Sequence, residues 1–193
     1  GHRRGGEGVE DREIIDLFWQ RSEAALEETQ QKYGAFCSRV AGNILKDPED
    51  VREGLNDAYL ALWRRIPPER PRVLGAYIHR VVRNLALKRY RYNEAAKRSP
   101  QVEESWEELA GTLCTAETVE SAYSAKELSA VLNAFLRTLE EEPRRLFIRR
   151  YWYFDSIAQL AHDFGRRESI VKSMLCRLRK RLRAVLRKEG YDV

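Results

Sequence analysis

The chain has 193 residues, a formal net charge of +5 and a charged fraction of 34 %. This length fits one domain of ordinary size or two small ones. No run approaches the roughly 18 apolar residues of a membrane-spanning helix, and the composition excludes collagen-like and low-complexity classes. Three cysteines without a CxxC pair exclude a disulfide-rich fold and give no zinc-binding spacing. We therefore expect a globular protein with no membrane insertion and no bound metal.

Charge is distributed in blocks along the chain. Residues 74–98 carry seven Lys or Arg and one acid, and residues 143–189 carry fourteen Lys or Arg and four acids. Between them, residues 99–125 carry six Glu and no Lys or Arg. Solvated helix faces explain most single charge runs, but two basic blocks around an acidic one indicate a polyanionic partner contacted at two places. Nucleic acid is the partner that this arrangement favours.

The N-terminal half has helical periodicity throughout. The sequence Asp47-Pro48-Glu49-Asp50 is typical of a helix start, because Asp caps the helix, Pro suits its first position and acids favour the helix dipole. Pro67-Pro68 ends that helix. Helices are predicted over residues 13–33, 33–45, 47–65 and 74–96.

The acidic block coincides with a loss of regular apolar spacing. Ser99-Pro100 opens it, and we interpret residues 99–122 as an acidic linker with at most a short helix near Trp106–Leu109. This interpretation divides the chain into two small helical domains, residues 8–98 and 123–189.

The C-terminal part predicts four further helices, over residues 125–140, 143–152, 156–163 and 167–188. A short helix, a turn containing Gly165 and a longer basic helix form the helix-turn-helix pattern. No segment alternates apolar and polar residues long enough for a strand. The predicted fold class is therefore all-α.

Several segments resemble the bacterial sigma factors. Residues 50–63 resemble the second conserved region of that family, and residues 77–91 are similar to the helix that melts DNA and reads the −10 element. Residues 147–154, 157–165 and 169–182 are similar to the fourth region. The small size and the missing intervening domain resemble the extracytoplasmic-function (ECF) group.

The resemblance implies a transcription initiation subunit and not an enzyme. Such a protein binds core RNA polymerase, directs it to promoters and helps to open the duplex. The expected partners are core RNA polymerase, promoter DNA and an anti-sigma factor, and the expected compartment is the bacterial cytoplasm. No catalytic residue, cofactor or small-molecule substrate is expected.

Acidic residues early in the 47–65 helix match the family's surface for the polymerase clamp helices. Their spacing of three and seven residues puts Asp50, Glu53 and Asp57 on one face, which suits a basic helical partner. Acids also favour a helix N-terminus, but that effect fades beyond the first turn and does not account for Asp57. The implied polymerase-binding residues are Asp50, Glu53, Asn56 and Asp57.

Residues 77–92 mix tyrosines with basic side chains. Aromatic faces stack on exposed bases, at about 1–3 kcal/mol per base, although core packing is an equally open role for Tyr77. The loop 67–73 corresponds to the family's loop for a flipped base. Lys88 stands where the family commonly has Asp, which leaves the base preference at the −10 element open. The implied −10 and single-strand DNA-binding residues are Tyr77, Arg80, Arg83, Asn84, Lys88 and Arg91.

The 167–188 helix would enter the major groove with its N-terminal end. There Arg pairs bidentately with guanine and Glu accepts from cytosine, whereas Arg166 and Arg177 are expected to hold phosphates. Met174 stands where the family usually has Arg, so one backbone contact is expected to be missing. The implied −35 DNA-binding residues are Arg166, Arg167, Glu168, Ser169, Lys172, Ser173 and Arg177.

Two other classes of function stay open on the sequence alone. A stand-alone helix-turn-helix regulator would use only residues 123–189 and would form a dimer on palindromic sites. A metal-dependent nucleic-acid enzyme would use the carboxylates of Asp47, Glu49, Asp50 and Asp57. The linker glutamates fit either a nucleic-acid mimic or a charged tether.

Overall fold

A computed structural model of the chain describes residues 8–92, 99–113, 122–191 and 193. These residues form nine helices and no strand, which confirms the all-α prediction. The chain divides into two compact units, Gly1–Ser99 and Pro100–Val193. Within the described ranges, no helix combines the length and the apolar character that a membrane span requires.

The first unit is built around three mutually packed helices. Helices α2, α3 and α4 pack against one another, and α1 packs against α2 and α4. Their core includes the fully buried side chains of Phe18, Ile44, Leu62 and Ile78. The helices of this unit are α1 (Asp11–Trp19), α2 (Ala24–Ile44), α3 (Pro48–Arg65) and α4 (Leu74–Tyr92).

The start of α3 agrees with its sequence signature. The side chain of Asp47 accepts a hydrogen bond from the backbone N–H of Glu49 at 2.9 Å, and Pro48 occupies the first helical position. The carboxylate thereby satisfies one of the orphan N–H groups at the helix N-terminus. This cap fixes the register of the acidic residues that follow.

The break between α1 and α2 differs from the prediction of one helix over 13–33. The chain turns after Trp19, where Arg21 adopts a positive φ of 57°. The Arg21 guanidinium lies over the Trp63 ring at 4.0 Å and donates to the Trp63 carbonyl at 2.7 Å. Contacts to the end of α3 thus hold a turn that arginine does not favour by itself. Helix α2 then continues through residue 33, where the prediction had divided it.

A histidine is packed among aromatic rings between α2 and α4. The His79 imidazole lies 4.0 Å from the Phe36 ring centroid and 5.8 Å from that of Tyr33. Burial lowers the pKa of His79 to about 4, and the positive charge of Arg39 contributes in the same direction. The folded first unit therefore holds this imidazole neutral.

Acidification should destabilise the first unit through His79. The unfolded imidazole takes up a proton near pH 6.5, whereas the folded one resists protonation down to about pH 4, so stability is lost as the pH falls through this window. The full shift corresponds to on the order of 3 kcal/mol. Urea unfolding followed by NMR signals of α2 and α4 at both ends of the window measures the effect. His79→Gln, which cannot take up this proton, should flatten the dependence, and an unchanged dependence would refute the assignment.

The second unit is built around the long basic helix α9. Helices α5, α6, α7 and α8 all pack against it. Leu175, Leu182 and Leu186 from α9 lie in one buried apolar cluster with Leu146 of α7 and Leu160 of α8. The helices of this unit are α5 (Pro100–Leu113), α6 (Ala122–Thr138), α7 (Glu141–Tyr151), α8 (Ile157–Asp163) and α9 (Glu168–Lys188).

A short turn joins α8 to α9. The hydroxyl of Ser156 accepts from the N–H of Gln159 at 3.1 Å and caps α8. Gly165 has a φ of 61°, a left-handed conformation that glycine adopts without the penalty of a Cβ. The succession of short helix, glycine turn and long basic helix follows the predicted order.

The structure departs from the linker interpretation over residues 100–113. These residues form α5, a helix of 14 residues that belongs to the second unit and packs against α7 and α9. Leu109 and Leu113 contact the apolar cluster of that unit, and Glu108 forms an ion pair with Arg150 of α7. The other acids of the predicted linker, Glu117 and Glu120, lie outside the described residues.

Candidate protein and nucleic-acid interface

The acidic residues of α3 form one face, and an arginine of α4 reaches into it. Arg89 lies 2.6 Å from a Glu53 carboxylate oxygen, 3.3 Å from Asp57 and 3.6 Å from Asp50. Burial lowers the pKa of Arg89, but its hydrogen bonds to Glu53 and Asp57 and their charges raise it above its ordinary value. The three carboxylates thereby lie together around one guanidinium. We call Asp50, Glu53 and Asp57 the acidic face of α3.

Two exposed neighbours extend this surface. Asn56 is exposed beside the acids. Leu60, three residues beyond Asp57, is 45 % exposed although it is apolar. Leu60 follows Glu53 and Asp57 by seven and three residues, and this spacing is the signal in the sequence that could have placed it beside the acidic face. An acidic face with an exposed leucine has the mixed character of a protein-binding surface.

The acidic face does not resemble a metal site. Its carboxylates are drawn together by the Arg89 guanidinium, which already supplies their positive partner. In the described part of the chain, no group of three or more His, Cys, Asp or Glu side chains is arranged to hold a metal ion.

Helix α4 carries four of the six predicted DNA-binding residues in a single row. Arg80, Asn84, Lys88 and Arg91 are all exposed, and their spacings of four, four and three residues place them on one side of the helix. Arg89 lies on another side, toward α3. We call these four residues the polar row of α4.

The two remaining predicted residues on this helix, Tyr77 and Arg83, make contacts inside the unit. Tyr77 is only 8 % exposed, and its hydroxyl donates to Glu69 at 2.5 Å. Burial and then the Glu69 carboxylate raise the pKa of Tyr77 to about 12. Its ring is therefore not available for stacking, and it anchors the loop 67–73 that contains Glu69. Arg83 is half-buried and donates to the Asn84 side chain at 3.3 Å.

An exposed aromatic residue lies where α4 ends. Tyr92 is 85 % exposed, the largest value among the exposed large apolar and aromatic side chains that the structure describes. It follows Arg91 of the polar row directly. Its ring can stack on an unpaired base, a role for which the buried Tyr77 ring is unsuited.

The predicted −35 residues are exposed along the first half of α9. Ser169, Ser173 and Arg177 are spaced by four residues and share one side of the helix. The Ser173 hydroxyl donates back to the Ser169 carbonyl at 2.9 Å. Ile170 is exposed beside them and was not among the predicted residues. The other exposed residues of the prediction are Arg166, Arg167, Glu168 and Lys172.

Arg166 is held by a bidentate contact before α9 begins. Its Nε and Nη2 donate to the two carboxylate oxygens of Glu142 at 2.7 and 3.0 Å. The hydrogen bond and charge of Arg166 lower the pKa of Glu142 below its ordinary value. The pair is solvent-exposed, so it is weak enough for a phosphate to compete for the guanidinium.

A second arginine holds α8 in place beneath α9. Arg149 of α7 donates to Asp155 at 2.7 Å and to Asp163 at 2.5 Å. Burial favours the neutral acid, but the hydrogen bonds from Arg149, His162 and Gln159 and the charge of Arg149 lower the pKa of Asp163 to about 2. The ion pairs tie the end of α8 to α7 and thereby fix the turn that leads into α9.

The comparison with known families covers the first unit. Residues 30–96 match the family model described as Sigma-70 region 2. This segment includes the acidic face of α3 and the polar row of α4. A search of curated proteins found no match. Members of this family are transcription initiation factors and not enzymes. This match covers about a third of the chain and identifies residues 30–96 as a sigma-70 region 2 domain.

Proposed function

We propose that the chain is an alternative-type sigma factor of the ECF group. It binds core RNA polymerase, directs it to specific promoters and assists promoter opening. The observation that carries this proposal is the pair of surfaces within the matched segment 30–96. The acidic face of α3 suits a basic protein helix, and the polar row of α4 suits an opened DNA strand.

The polar row would contact the −10 element. Its cationic side chains follow the direction of α4, so they can lie along successive phosphates of a single strand. Asn84 lies in the middle of the row, where its amide can donate to and accept from a base edge. Tyr92 offers an exposed ring close to the end of the same row. Tyr77 acts by holding the loop 67–73 and not by stacking.

The second unit would read the −35 element with α9. Its exposed N-terminal half presents Arg167, Ser169 and Ser173 toward the major groove, with Arg177 on a phosphate. The proposal for this unit rests on the resemblance of residues 147–182 to the fourth region and on the α8–α9 turn. An anti-sigma factor and a bacterial cytoplasmic location belong to the same proposal.

The first test is binding of the purified full chain to bacterial core RNA polymerase, with Asp57→Arg beside the wild type. Reversing this charge places a cation against a basic partner and releases Arg89 from one of its carboxylates. A like-charge contact in an interface costs several kcal/mol, so we expect a loss of about 100-fold in affinity.

Glu49→Arg provides the matched control. Glu49 lies on the same helix and pairs with Arg52, outside the acidic face. Its replacement by Arg changes the net charge by the same amount as Asp57→Arg. We expect it to retain binding, and circular dichroism should show both variants to be helical. Equal loss in both variants would refute a specific interface at Asp57. A wild type that shifts duplex DNA but does not bind the polymerase would instead support a stand-alone helix-turn-helix regulator.

A further inference from the structure

One carboxylate of α5, that of Glu108, binds two arginines of the second unit. Glu108 accepts from Arg150 at 2.7 Å, from the Tyr151 hydroxyl at 2.9 Å and from Arg179 at 3.3 Å. Glu104 adds a longer contact to Arg150 at 3.5 Å. Burial raises the pKa of Glu108, but the hydrogen bonds and charges of its partners lower it below the ordinary value. Glu108 is therefore charged at neutral pH and links α5 to both α7 and α9.

A second contact links the end of α5 to α9. The Arg183 guanidinium donates to the backbone carbonyl of Gly111. Arg179 also donates to the Tyr151 hydroxyl, so the side chain lies between α5 and α7. Arg179 and Arg183 of α9 are thus both bound by α5 or by residues that contact α5.

The apolar contribution of α5 to this packing is small. Along its whole described length, its buried residues are Ser105 and Thr112, which are both small and polar. Leu109 and Leu113 are only partly buried, and Trp106 is 68 % exposed. Since burial of large side chains is the main source of packing free energy, α5 is held largely by its polar contacts. Polar contacts near the surface, such as those of Arg179 and Arg183, weaken in salt and can be replaced by another anion.

The two covered arginines continue a row that begins at the exposed end of α9. Lys172, Arg179 and Arg183 are spaced by seven and four residues, which places them on one side of the helix. Lys172 is exposed and belongs to the predicted DNA-binding residues. A cationic row along a helix that lies in a groove can contact successive phosphates of one strand.

We propose that Arg179 and Arg183 are phosphate-binding residues for duplex DNA that α5 covers in the free chain. Release of α5 would uncover them and extend the contact that Lys172 begins. The inference rests on the proposed function of α9 as the DNA-binding helix. In the free chain, the Glu108 carboxylate occupies the position beside Arg179 that a DNA phosphate takes in the complex.

The test compares Glu108→Gln with Glu107→Gln in the full chain. Both variants remove one negative charge from α5, but Glu107 is exposed and outside the network. Binding to a short fluorescent duplex of arbitrary sequence is measured over a range of salt concentrations. We expect Glu108→Gln to bind several-fold more tightly at low salt. The slope of log affinity against log salt should steepen by about 2, one for each released phosphate contact.

Three further measurements make the result decisive. Amide hydrogen exchange should show lost protection of α5 in Glu108→Gln and not in Glu107→Gln. Adding Arg179→Ala and Arg183→Ala to Glu108→Gln should return the slope to the wild-type value. If Glu108→Gln loses its helical circular dichroism, Glu108→Asp, which withdraws the carboxylate by one methylene, is the milder variant that weakens the same contacts.

The outcomes separate this inference from the proposed function. If α5 is released and the salt dependence equals that of Glu107→Gln, Arg179 and Arg183 are not covered phosphate sites, and the inference is wrong. If no form of the chain binds duplex DNA, the assignment of α9 itself fails. Loss of polymerase binding bears on neither result, because the duplex assay contains no polymerase.

Discussion

Arg150→Ala should destabilise the second unit by about 3 kcal/mol or more, because it breaks a buried ion pair and leaves its partners unpaired. Arg150 is 1 % exposed and donates to the Asp155 carbonyl at 2.9 Å as well as to Glu108. Its removal leaves a buried carbonyl without its donor and a carboxylate without its main cation. The same change opens a cavity between α5 and α7, since Arg150 is one of the largest fully buried side chains.

Arg145→Ala is the matched control on the same helix. Arg145 is 61 % exposed and lies 3.9 Å from Glu141 one turn away, a contact of surface type. Its loss should cost about 1 kcal/mol or less. Urea unfolding followed by NMR signals of α7 and α9 separates the second unit from the first. Equal midpoints for the two variants would show that Arg150 does not organise this unit.

Arg150→Ala also has a consequence for α5. Because Glu108 then keeps only Tyr151 and Arg179, α5 should lose amide protection even in molecules whose α7 and α9 remain folded. This pattern would connect the stability of the second unit with the covering of Arg179. Full protection of α5 in the folded variant would show that its docking does not depend on Arg150.

Local sequence signals account for the parts of the fold that were predicted well. The cap at Asp47 and the apolar spacing that follows it fix where α3 begins and which side faces inward. The same helical spacing is sufficient to place Asp50, Glu53 and Asp57 on one face. It cannot show that Arg89 lies among them, because that contact joins residues 32 and 36 apart in the chain.

For residues 100–113, by contrast, the sequence predicted a linker and the structure has helix α5. Val102, Trp106, Leu109 and Leu113 have helical spacing, but Ser99-Pro100 and Gly111 are typical of a loop. Partners that stabilise this helix lie far along the chain, with Arg150 at a separation of 42 residues and Arg179 at 71. Tertiary contact therefore outweighs local composition here, as it does at the Arg21 turn. The burial of Tyr77 has the same origin, since its partner Glu69 lies in a loop without a regular pattern.

Phe18→Ala should destabilise the first unit by about 3–5 kcal/mol, the usual cost of removing a buried phenylalanine ring. Phe18 is fully buried, and its ring centroid lies 6.3 Å from that of Trp63 on α3. Helix α1 ends before residue 30, where the family match begins. The prediction therefore tests whether a helix outside the matched segment belongs to the same cooperative unit.

Trp19→Ala is the control, because Trp19 is the next residue on α1 and is 42 % exposed. Its main contact is Arg70, 5.6 Å from the ring, so its removal should cost about 1 kcal/mol or less. Urea unfolding followed by the NMR signals of α2 and α4 measures both variants. If Phe18→Ala left α2 and α4 as stable as in the wild type, α1 would be an accessory helix. If Phe18→Ala lowers the unfolding midpoints of α2 and α4 together, the acidic face of α3 depends on α1. Polymerase binding should then weaken in proportion to the unfolded fraction.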